Sequence, residues 1–383
     1  MNQIKLIKSF DENDNFTNTV IPLTLDVSQV FYIYHHDIDE KIIDSCTKVL
    51  KRNRKKMTVK FLKINEEDSP ELDDLLKDED IMVDISSSRY LSILLLEKAV
   101  RNRNKIVYYD NEERCIKTYF RHKVISDHIF SYSIEDLLQL NSGTVKNHMH
   151  KPASVKDRDT AELIKSVVEY SLGEYPKFIS FIQRVNSAIS NKKSDGNSYH
   201  LSMEAVNKIR NDDGYQRYKQ FRLFSLSEDR LTFMNPYIAE LFSVSGSFLE
   251  NYLYLKLTES GLFDDVRMSV IIDFSGLQNR YPITCEIDCL VLKDNHLLFV
   301  SCKSNKVETA DLNEIKVHNT IFGNDLSHPV VCTLEDLSER NPSVYIKGRE
   351  LNIAILDKTV FLQDRVAETF DKIVNGIYQY EKV

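Results

Sequence analysis

Short apolar runs alternate with helical stretches between residues 29 and 109, and this alternation constrains the fold more than any other feature of the sequence. The pattern predicts strands and helices in turn, with strands at 30–34, 59–64, 81–85 and 106–109 and helices at 38–50 and 91–100. Parallel strands that are separated by helices need right-handed crossover connections, which build a doubly wound sheet. The first part of the chain is therefore expected to form a Rossmann-like α/β domain.

Two strand ends of this predicted sheet are polar, and ligands of doubly wound sheets bind beyond the carboxyl ends of the strands. The candidate ligand-binding residues at these ends are His35, His36, Asp84, Ser86, Ser87, Ser88 and Arg89. The serines lie between a strand and a helix N-terminus, where free backbone N–H groups and the helix dipole favour a phosphate. An ordinary serine N-cap is the alternative, although it requires only one serine.

The second half of the chain predicts another α/β domain, with a mixed sheet. It follows a mostly helical region at 130–220 that contains a polar, linker-like tract at 191–199. After a hairpin and an interrupted helix, the pattern predicts strands at 266–274, 285–292, 297–302 and 329–334, and a helix at 308–321. We therefore predict a first α/β domain at 1–150, a helical connector at 151–220 and a second α/β domain at 221–383.

The most informative segment is a predicted hairpin with two acidic residues on one strand and a lysine on the other. Side chains alternate along a strand, so Glu286 and Asp288 share one face, and Ser301 and Lys303 share a face of the next strand. The turn at 293–296 makes the strands antiparallel neighbours and brings the four side chains together. Burying such groups is costly without a purpose, and the alternative is the exposed face of an ordinary hairpin.

These residue types suit a metal-dependent reaction at phosphorus. Carboxylate oxygens are good ligands for Mg²⁺ or Mn²⁺. Such an ion can polarise a phosphodiester and lower the pKa of a water, while a nearby lysine orients that water or offsets the developing charge. Glu250, on the predicted helix upstream, could complete the metal site.

The order of these motifs resembles the PD-(D/E)xK nuclease superfamily: a helix with a glutamate, Glu-x-Asp on a strand, a lysine on the next strand, then a helix. Gly246-x-Phe248-Leu249-Glu250 and Ser301-Cys302-Lys303 look like the nuclease half of the CRISPR ancillary nucleases, which join a restriction-endonuclease-like domain to an N-terminal CARF sensor. The loop Asp84-Ile85-Ser86-Ser87-Ser88 is similar to the nucleotide-binding loop of CARF domains. The resemblance spans nearly the whole chain, in the right order.

This resemblance implies a function as well as a fold. It implies a homodimer that binds a cyclic oligoadenylate, most often cyclic tetra-adenylate, across its two sensor domains. The activated dimer would then cleave DNA or RNA with Mn²⁺ or Mg²⁺ in type III CRISPR antiviral defence. By position, Glu250 and Asp288 would be metal ligands with the backbone carbonyl of Cys302, and Lys303 would be the catalytic lysine.

The sequence departs from the family pattern at two places. Ser301 stands where the superfamily most often has an acid, and Glu286 on the neighbouring strand is the candidate to supply the missing carboxylate. The sensor loop has serines where many relatives have Thr-Gly-Gly. Serines at this place still suit phosphate binding, but the ring size of the ligand stays open.

The net charge of −8 excludes the basic field of a constitutive nucleic-acid binder, so any such contact must be local or switched on by a ligand. The main alternative is a CARF-type ligand-sensing regulator with a catalytically inactive nuclease-like domain. Clustering of Glu286, Asp288 and Lys303 counts against an inactive site. A nucleotide-dependent metabolic enzyme would need a Gly-x-Gly-x-x-Gly or Walker loop, which the first domain lacks.

The N-terminus has no apolar segment of the kind that signal peptides contain, and the longest nearly apolar stretch, at 90–96, is too short for a membrane span. We therefore expect a cytoplasmic protein.

Overall fold

The computed structural model describes residues 4–64, 69–78, 80–87, 90–149, 158–190, 192–244, 246–273, 283–304, 306–323 and 326–378. The chain forms two compact units, the first built mainly from residues up to Thr144 and the second from nearly all residues after Val145. The predicted connector, from residue 158 onward, lies in the second unit. No helix among these described ranges is both long and apolar enough to cross a membrane.

The first unit is an α/β unit. Its strands are β1 (Lys5–Ser9), β2 (Gln29–Tyr34), β3 (Thr58–Lys63), β4 (Ile81–Asp84), β5 (Lys105–Asp110), β6 (Cys115–Thr118) and β7 (Val124–Ser126). Its helices are α1 (Asn15–Thr24), α2 (Glu40–Asn53), α3 (Pro70–Leu76), α4 (Tyr90–Asn102) and α5 (Ile134–Leu140). The sheet order is β3-β2-β1-β4-β5-β6-β7, with β1 to β5 parallel and the last two strands antiparallel. The predicted Rossmann-like arrangement is confirmed.

The central strand β1 and helix α1 were not predicted, because both bury polar side chains. Lys8 interrupts the apolar pattern of β1 and is fully buried. In α1, Asn18 and Thr19 are buried and their polar atoms are satisfied: Asn18 Nδ2 donates to the carbonyl of Asp11 at 2.7 Å, and Thr19 Oγ1 lies 2.9 Å from Tyr132 Oη. A pattern search for apolar periodicity does not detect such elements.

The second unit contains two sheets. Its strands are β8 (Thr144–Met149), β9 (Ser194–Asp195), β10 (Ser198–His200), β11 (Phe224–Leu226), β12 (Arg230–Phe233), β13 (Asp265–Asp273), β14 (Thr284–Lys293), β15 (His296–Lys303), β16 (Ser327–Thr333) and β17 (Ala354–Leu356). The larger sheet has the order β17-β16-β15-β14-β13-β8, and the smaller has the order β11-β12-β10-β9.

Eleven α-helices accompany these sheets in the described part of the chain. They are α6 (Arg158–Ser171), α7 (Tyr175–Ile189), α8 (Met203–Arg210), α9 (Asp213–Tyr218), α10 (Pro236–Ser243), α11 (Ser247–Ser260), α12 (Thr309–Phe322), α13 (Leu337–Arg340), α14 (Pro342–Glu350), α15 (Lys358–Leu362) and α16 (Val366–Val374). Short 3₁₀ turns lie at Leu172–Glu174 and Lys219–Phe221.

One continuous hydrophobic core connects the smaller sheet, the helices around it and the larger sheet. Phe178 on α7, Leu231 on β12 and Val300 on β15 are fully buried members of this core. The polar tract at 191–199 was predicted to be a linker, and that prediction was wrong. Its described part folds into the hairpin of β9 and β10, with Gly196 at a φ of 65° in the turn.

Candidate functional site

A tight hairpin sets the register of the predicted catalytic strands. Asp294 and Asn295 have φ angles of 50° and 64°, the left-handed conformation that two-residue hairpin turns use. The pairing then runs from Lys293 with His296 to Cys289 with Val300. Continued by one residue, this register brings Asp288 on β14 next to Ser301 on β15.

The carboxylate of Asp288 is fixed by the backbone of the neighbouring strand. The N–H of Cys302 donates to Asp288 Oδ2 at 2.6 Å, and Ser301 Oγ lies 3.4 Å from the same oxygen. No described residue donates a hydrogen bond to Oδ1 of Asp288, which leaves this oxygen for a cation. The contacts with Cys302 and Ser301 orient the carboxylate of Asp288 where the pairing of β14 and β15 ends.

Glu250 approaches the hairpin from the first turn of α11. The helix begins after Gly246, whose φ of 128° is strained for any residue with a side chain. A Cβ atom at Gly246 would lie 3.2 Å from Glu250 Oε1 and 3.7 Å from Ser304 Oγ. Glycine therefore allows the helix start and the end of β15 to approach each other around the Glu250 carboxylate.

The carboxylates of this cluster repel one another in a partly dry site. Burial and the charges of Asp288 and Glu286 raise the pKa of Glu250 to about 8, against the opposing effect of Lys303. Burial also raises the pKa of Asp288, although the Cys302 N–H and the Lys303 charge act in the other direction. A divalent cation would relieve this repulsion, and the all-oxygen donor set fits Mg²⁺ or Mn²⁺.

No three His, Cys, Asp or Glu side chains in the described ranges form a group that could by itself hold a metal ion. The predicted ligand set contains two side chains, Glu250 and Asp288, and one backbone carbonyl, at Cys302. The Cys302 side chain is buried in the core and its pKa is raised far above the usual range by burial. Only the main chain of Cys302 is therefore suited to metal binding.

Lys303 is held by acidic residues that the sequence analysis did not single out. Its Nζ lies 3.1 Å from Asp311 Oδ1 and 4.0 Å from Glu314 Oε2, both on α12. Burial lowers the pKa of Lys303, but the hydrogen bond and charge of Asp311, with Asp288 and Glu314, outweigh it and raise the pKa. The lysine therefore remains charged at neutral pH.

A small cavity of about 40 Å³ lies between the β14–β15 hairpin and α12. Glu286, Asp288, Ser301 and Lys303 line it from the hairpin, and Glu314 and His318 line it from α12. Asp311, Glu314 and His318 recur at helical spacing on the helix directly after Lys303, a signal that places them on one face of the helix but does not say what that face contacts. Glu286 is exposed, at the rim of the site.

Two of the predicted sensor residues, Asp84 and Ser86, stabilise the loop after β4 through hydrogen bonds. Asp84 is fully buried with its Oδ2 3.1 Å from Lys8 Nζ, and its Oδ1 accepts hydrogen bonds from Ser86 N, at 2.8 Å, and from Ser86 Oγ. Ser86 Oγ in turn accepts the N–H of Tyr109 at 2.9 Å. These contacts fix the backbone after β4.

The segment after β1 contacts both predicted sensor loops. Ser87 Oγ, which is buried, donates to Asp11 Oδ2 at 3.1 Å, and His36 Nε2 lies 3.2 Å from Glu12 Oε1. His35 packs its ring edge-on against His36. The two loops therefore lie at one edge of the sheet, whereas the predicted residues Ser88 and Arg89 lie outside the described residues.

No protein-family model matches this sequence, and no curated protein matches it. The solved structures that are similar include two that cover nearly the whole chain. Protein VC1899 from Vibrio cholerae is 12% identical, with 98% of each chain covered and a TM-score of 0.76. Can2 from Sulfobacillus thermosulfidooxidans, in complex with cyclic tetra-adenylate, is 8% identical, with 95% of this chain and 98% of that chain covered and a TM-score of 0.71.

The chain has the fold of these two proteins. The similarity covers both α/β parts in one alignment, and at these identities it establishes the fold alone. The predicted architecture of a Rossmann-like α/β part followed by a second α/β part with a mixed sheet is confirmed.

Proposed function

We propose that this protein is a metal-dependent nuclease that a cyclic oligoadenylate activates in type III CRISPR antiviral defence. One observation supports the enzymatic part most directly: Asp288 and Lys303 line one cavity at the end of paired strands, and the charges of both act on the carboxyl of Glu250. The fold shared with Can2, which was solved with cyclic tetra-adenylate, supports the activating ligand.

The chemistry follows from what each side chain can do. Glu250, Asp288 and the Cys302 carbonyl would hold Mn²⁺ or Mg²⁺. When bound, the ion would polarise the phosphodiester and lower the pKa of a water. The charged Lys303 offsets negative charge that develops on the phosphate, and Asp311 holds it in place. Glu286, at the rim, supplies the carboxylate that Ser301 lacks.

A homodimer gives the sensor its symmetry, and α4 has a surface suited to a second copy. Tyr90, Ile93 and Val100 on one side of this helix are 54%, 63% and 45% exposed, directly after the predicted ligand loop. Burying this apolar stripe in a two-fold interface would oppose two sensor loops. The paired loops would then offer two helix N-termini to a symmetric ring of phosphates.

The decisive experiment incubates the purified chain with Mn²⁺, supercoiled plasmid and RNA, with and without each cyclic oligoadenylate. We expect cleavage only when both metal and activator are present, and none by the Lys303→Ala variant. Binding of cyclic tetra-adenylate without cleavage of any substrate would instead support the regulator with an inactive nuclease-like domain.

A further inference from the structure

Lys8 is a fully buried lysine in the middle of the sheet of the first unit. It lies on β1, beside Tyr32 on β2 and Asp84 on β4 in the register of the parallel strands. The side chains of Lys8 and Asp84 are both fully buried, and Lys8 Nζ lies 3.1 Å from Asp84 Oδ2. Neither atom has a further hydrogen-bond partner among the described residues. The two charges therefore compensate each other inside the sheet.

Stability alone does not explain an ion pair at this depth. Taking two charges out of water is costly, and apolar side chains of similar volume in place of a buried pair often leave a protein equally or more stable. Two residues earlier on the same strands, and on the same face, Leu6 and Met82 form a buried apolar pair. Because the sheet accommodates apolar neighbours at this face, the charged pair needs another explanation.

The second oxygen of the Asp84 carboxylate binds the predicted sensor loop. Asp84 Oδ1 accepts the backbone N–H of Ser86 at 2.8 Å and also the Ser86 hydroxyl. Ser86 Oγ in turn accepts the N–H of Tyr109 on β5 at 2.9 Å, which ties the loop to the next strand. One carboxylate is thus held by Lys8 at one oxygen and holds the loop after β4 with the other.

The edge of the sheet where this loop lies is rich in acids, which is unfavourable for a phosphate ligand. Asp11, Glu12 and Asp14 all follow β1 within a few residues of Lys8. Burial raises the pKa of Asp14, while hydrogen bonding and the charge of Lys8 act in the other direction, so the field of Lys8 reaches this edge. Without Lys8, the buried carboxylate of Asp84 would add a further uncompensated negative charge.

We propose that Lys8 is a positioning residue of the sensor: through Asp84 it fixes the N–H of Ser86 and the loop after β4 in the conformation that receives the phosphates of a cyclic oligoadenylate. Lys8 and Asp84 are both fully buried, so neither touches the ligand and both act from behind the loop. This inference rests on the proposed activation by a cyclic oligoadenylate and assigns a role to the buried pair beneath the loop.

Two double variants separate the position of the loop from the charge beneath it, because both remove the whole ion pair. Lys8→Met with Asp84→Asn keeps an acceptor for the Ser86 N–H, whereas Lys8→Met with Asp84→Leu removes that acceptor. Lys8→Met alone leaves the Asp84 carboxylate without its cation. The matched control is Lys117→Met, which removes another buried lysine of the same sheet, whose acidic partners lie outside both predicted sensor loops.

Calorimetry with cyclic tetra-adenylate, thermal unfolding and hydrogen exchange of the Ser86 amide without ligand are measured on each full-length protein. The leucine double variant should bind about a hundredfold more weakly than the wild type, with faster exchange of the Ser86 amide and little change in Tm. Lys8→Met should bind about tenfold more weakly, and the asparagine double variant should recover most of that loss. The Lys117→Met control should bind within about twofold of the wild type.

Wild-type affinity in Lys8→Met or in the leucine double variant would overturn the proposal. A loss of affinity that follows Tm across all variants, the Lys117→Met control included, would overturn it as well, because that pattern indicates a general structural effect. Unchanged exchange of the Ser86 amide in the leucine double variant would contradict this inference while leaving the proposed sensor function intact. Absence of cyclic tetra-adenylate binding by the wild type would instead overturn the sensor function, and this inference with it.

Discussion

The ammonium group of Lys303 lies 3.1 Å from Oδ1 of Asp311, a residue on the helix that follows the β14–β15 hairpin. The other carboxylate oxygen of Asp311 accepts the backbone N–H of Glu308 at 2.8 Å, so the carboxylate is anchored to the residue that precedes its helix. Asp311 therefore fixes the position of Lys303 and raises its pKa, without lining the cavity itself.

Asp311→Asn should reduce cleavage about ten- to hundredfold, because Lys303 loses the partner that positions it. Loss of the carboxylate also lowers the pKa of Lys303. The alkaline limit of activity should therefore move to a lower pH than in the wild type. A pH–rate profile of plasmid cleavage measures both effects. As a control, Glu308→Gln neutralises a neighbouring acid that does not contact Lys303, and it should leave the pH–rate profile unchanged. Identical profiles for the two variants would contradict the proposed positioning of Lys303 by Asp311.

Metal affinity should depend on pH through Glu250. With a pKa raised to about 8, its carboxyl is mostly protonated at neutral pH, and a metal ion must displace that proton. We expect the Mn²⁺ affinity, measured by calorimetry, to rise about tenfold per pH unit up to pH 8 and then level off. Glu250→Gln should bind Mn²⁺ weakly and with little pH dependence, and a similar slope in this variant would assign the titration to another group.

The same shift has a consequence for the stability of the metal-free protein. An acid whose pKa is higher in the folded state than its ordinary 4.5 stabilises the fold while protonated and loses this stabilisation as pH rises from 4.5 towards 8. Glu250→Gln removes the group that must stay protonated in the fold but ionises in the unfolded chain, and it should raise the free energy of unfolding at neutral pH by about 1–3 kcal/mol. Urea unfolding of the wild type and Glu250→Gln at pH 5 and pH 7.5 tests this prediction. The increase in the free energy of unfolding should be larger at pH 7.5.

Apolar periodicity predicted most of the strands and helices, because their buried faces are apolar. It missed β1 and α1, where Lys8 and Asn18 are buried, Lys8 in an ion pair with Asp84 and Asn18 in a hydrogen bond with the carbonyl of Asp11. The smaller sheet was also missed in part, since β9 and β10 consist of polar residues and are only two and three residues long. Elements stabilised by side-chain hydrogen bonds or by pairing alone leave no periodic signal.

The pairing of β14 and β15 was predictable because strand alternation and a two-residue turn determine which side chains meet. Asp311 was not, since its role depends on where α12 packs, and spacing within a helix does not specify the neighbour that it faces. The same limit applies to the sensor, where Asp11 belongs to a segment that the sequence analysis left unassigned. Its contact with Ser87 connects residues 76 positions apart.

Glu286 and Ser301 should differ in their effect on metal use. Glu286→Gln removes the carboxylate proposed to replace the usual acid and should raise the half-saturating Mn²⁺ concentration about tenfold. Ser301→Ala should change it about twofold or less, because the Cys302 N–H, at 2.6 Å, still orients Asp288 after the 3.4 Å contact is lost. Metal titrations of cleavage by both variants decide the point, and a larger effect of Ser301→Ala would show that the hydroxyl itself serves the site.

The sensor should respond strongly to a charge at Ser87. This buried hydroxyl donates to Asp11, so Ser87→Glu places a second carboxylate against the first, at the strand ends where a ring of phosphates is proposed to bind. Repulsion from both should weaken cyclic tetra-adenylate binding about a hundredfold.

Ser87→Ala, which removes only the hydrogen bond, should weaken that binding severalfold without adding charge. Because the alanine fits the buried position, it tests the site even if the glutamate variant fails to fold. Calorimetry on the wild type and both variants gives the affinities, and plasmid cleavage against activator concentration should shift in the same order. Since a ligand activates only to the extent that it binds one state better than the other, weaker binding must raise the activator requirement. Unchanged affinity in both variants would place the ring away from the loop after β4.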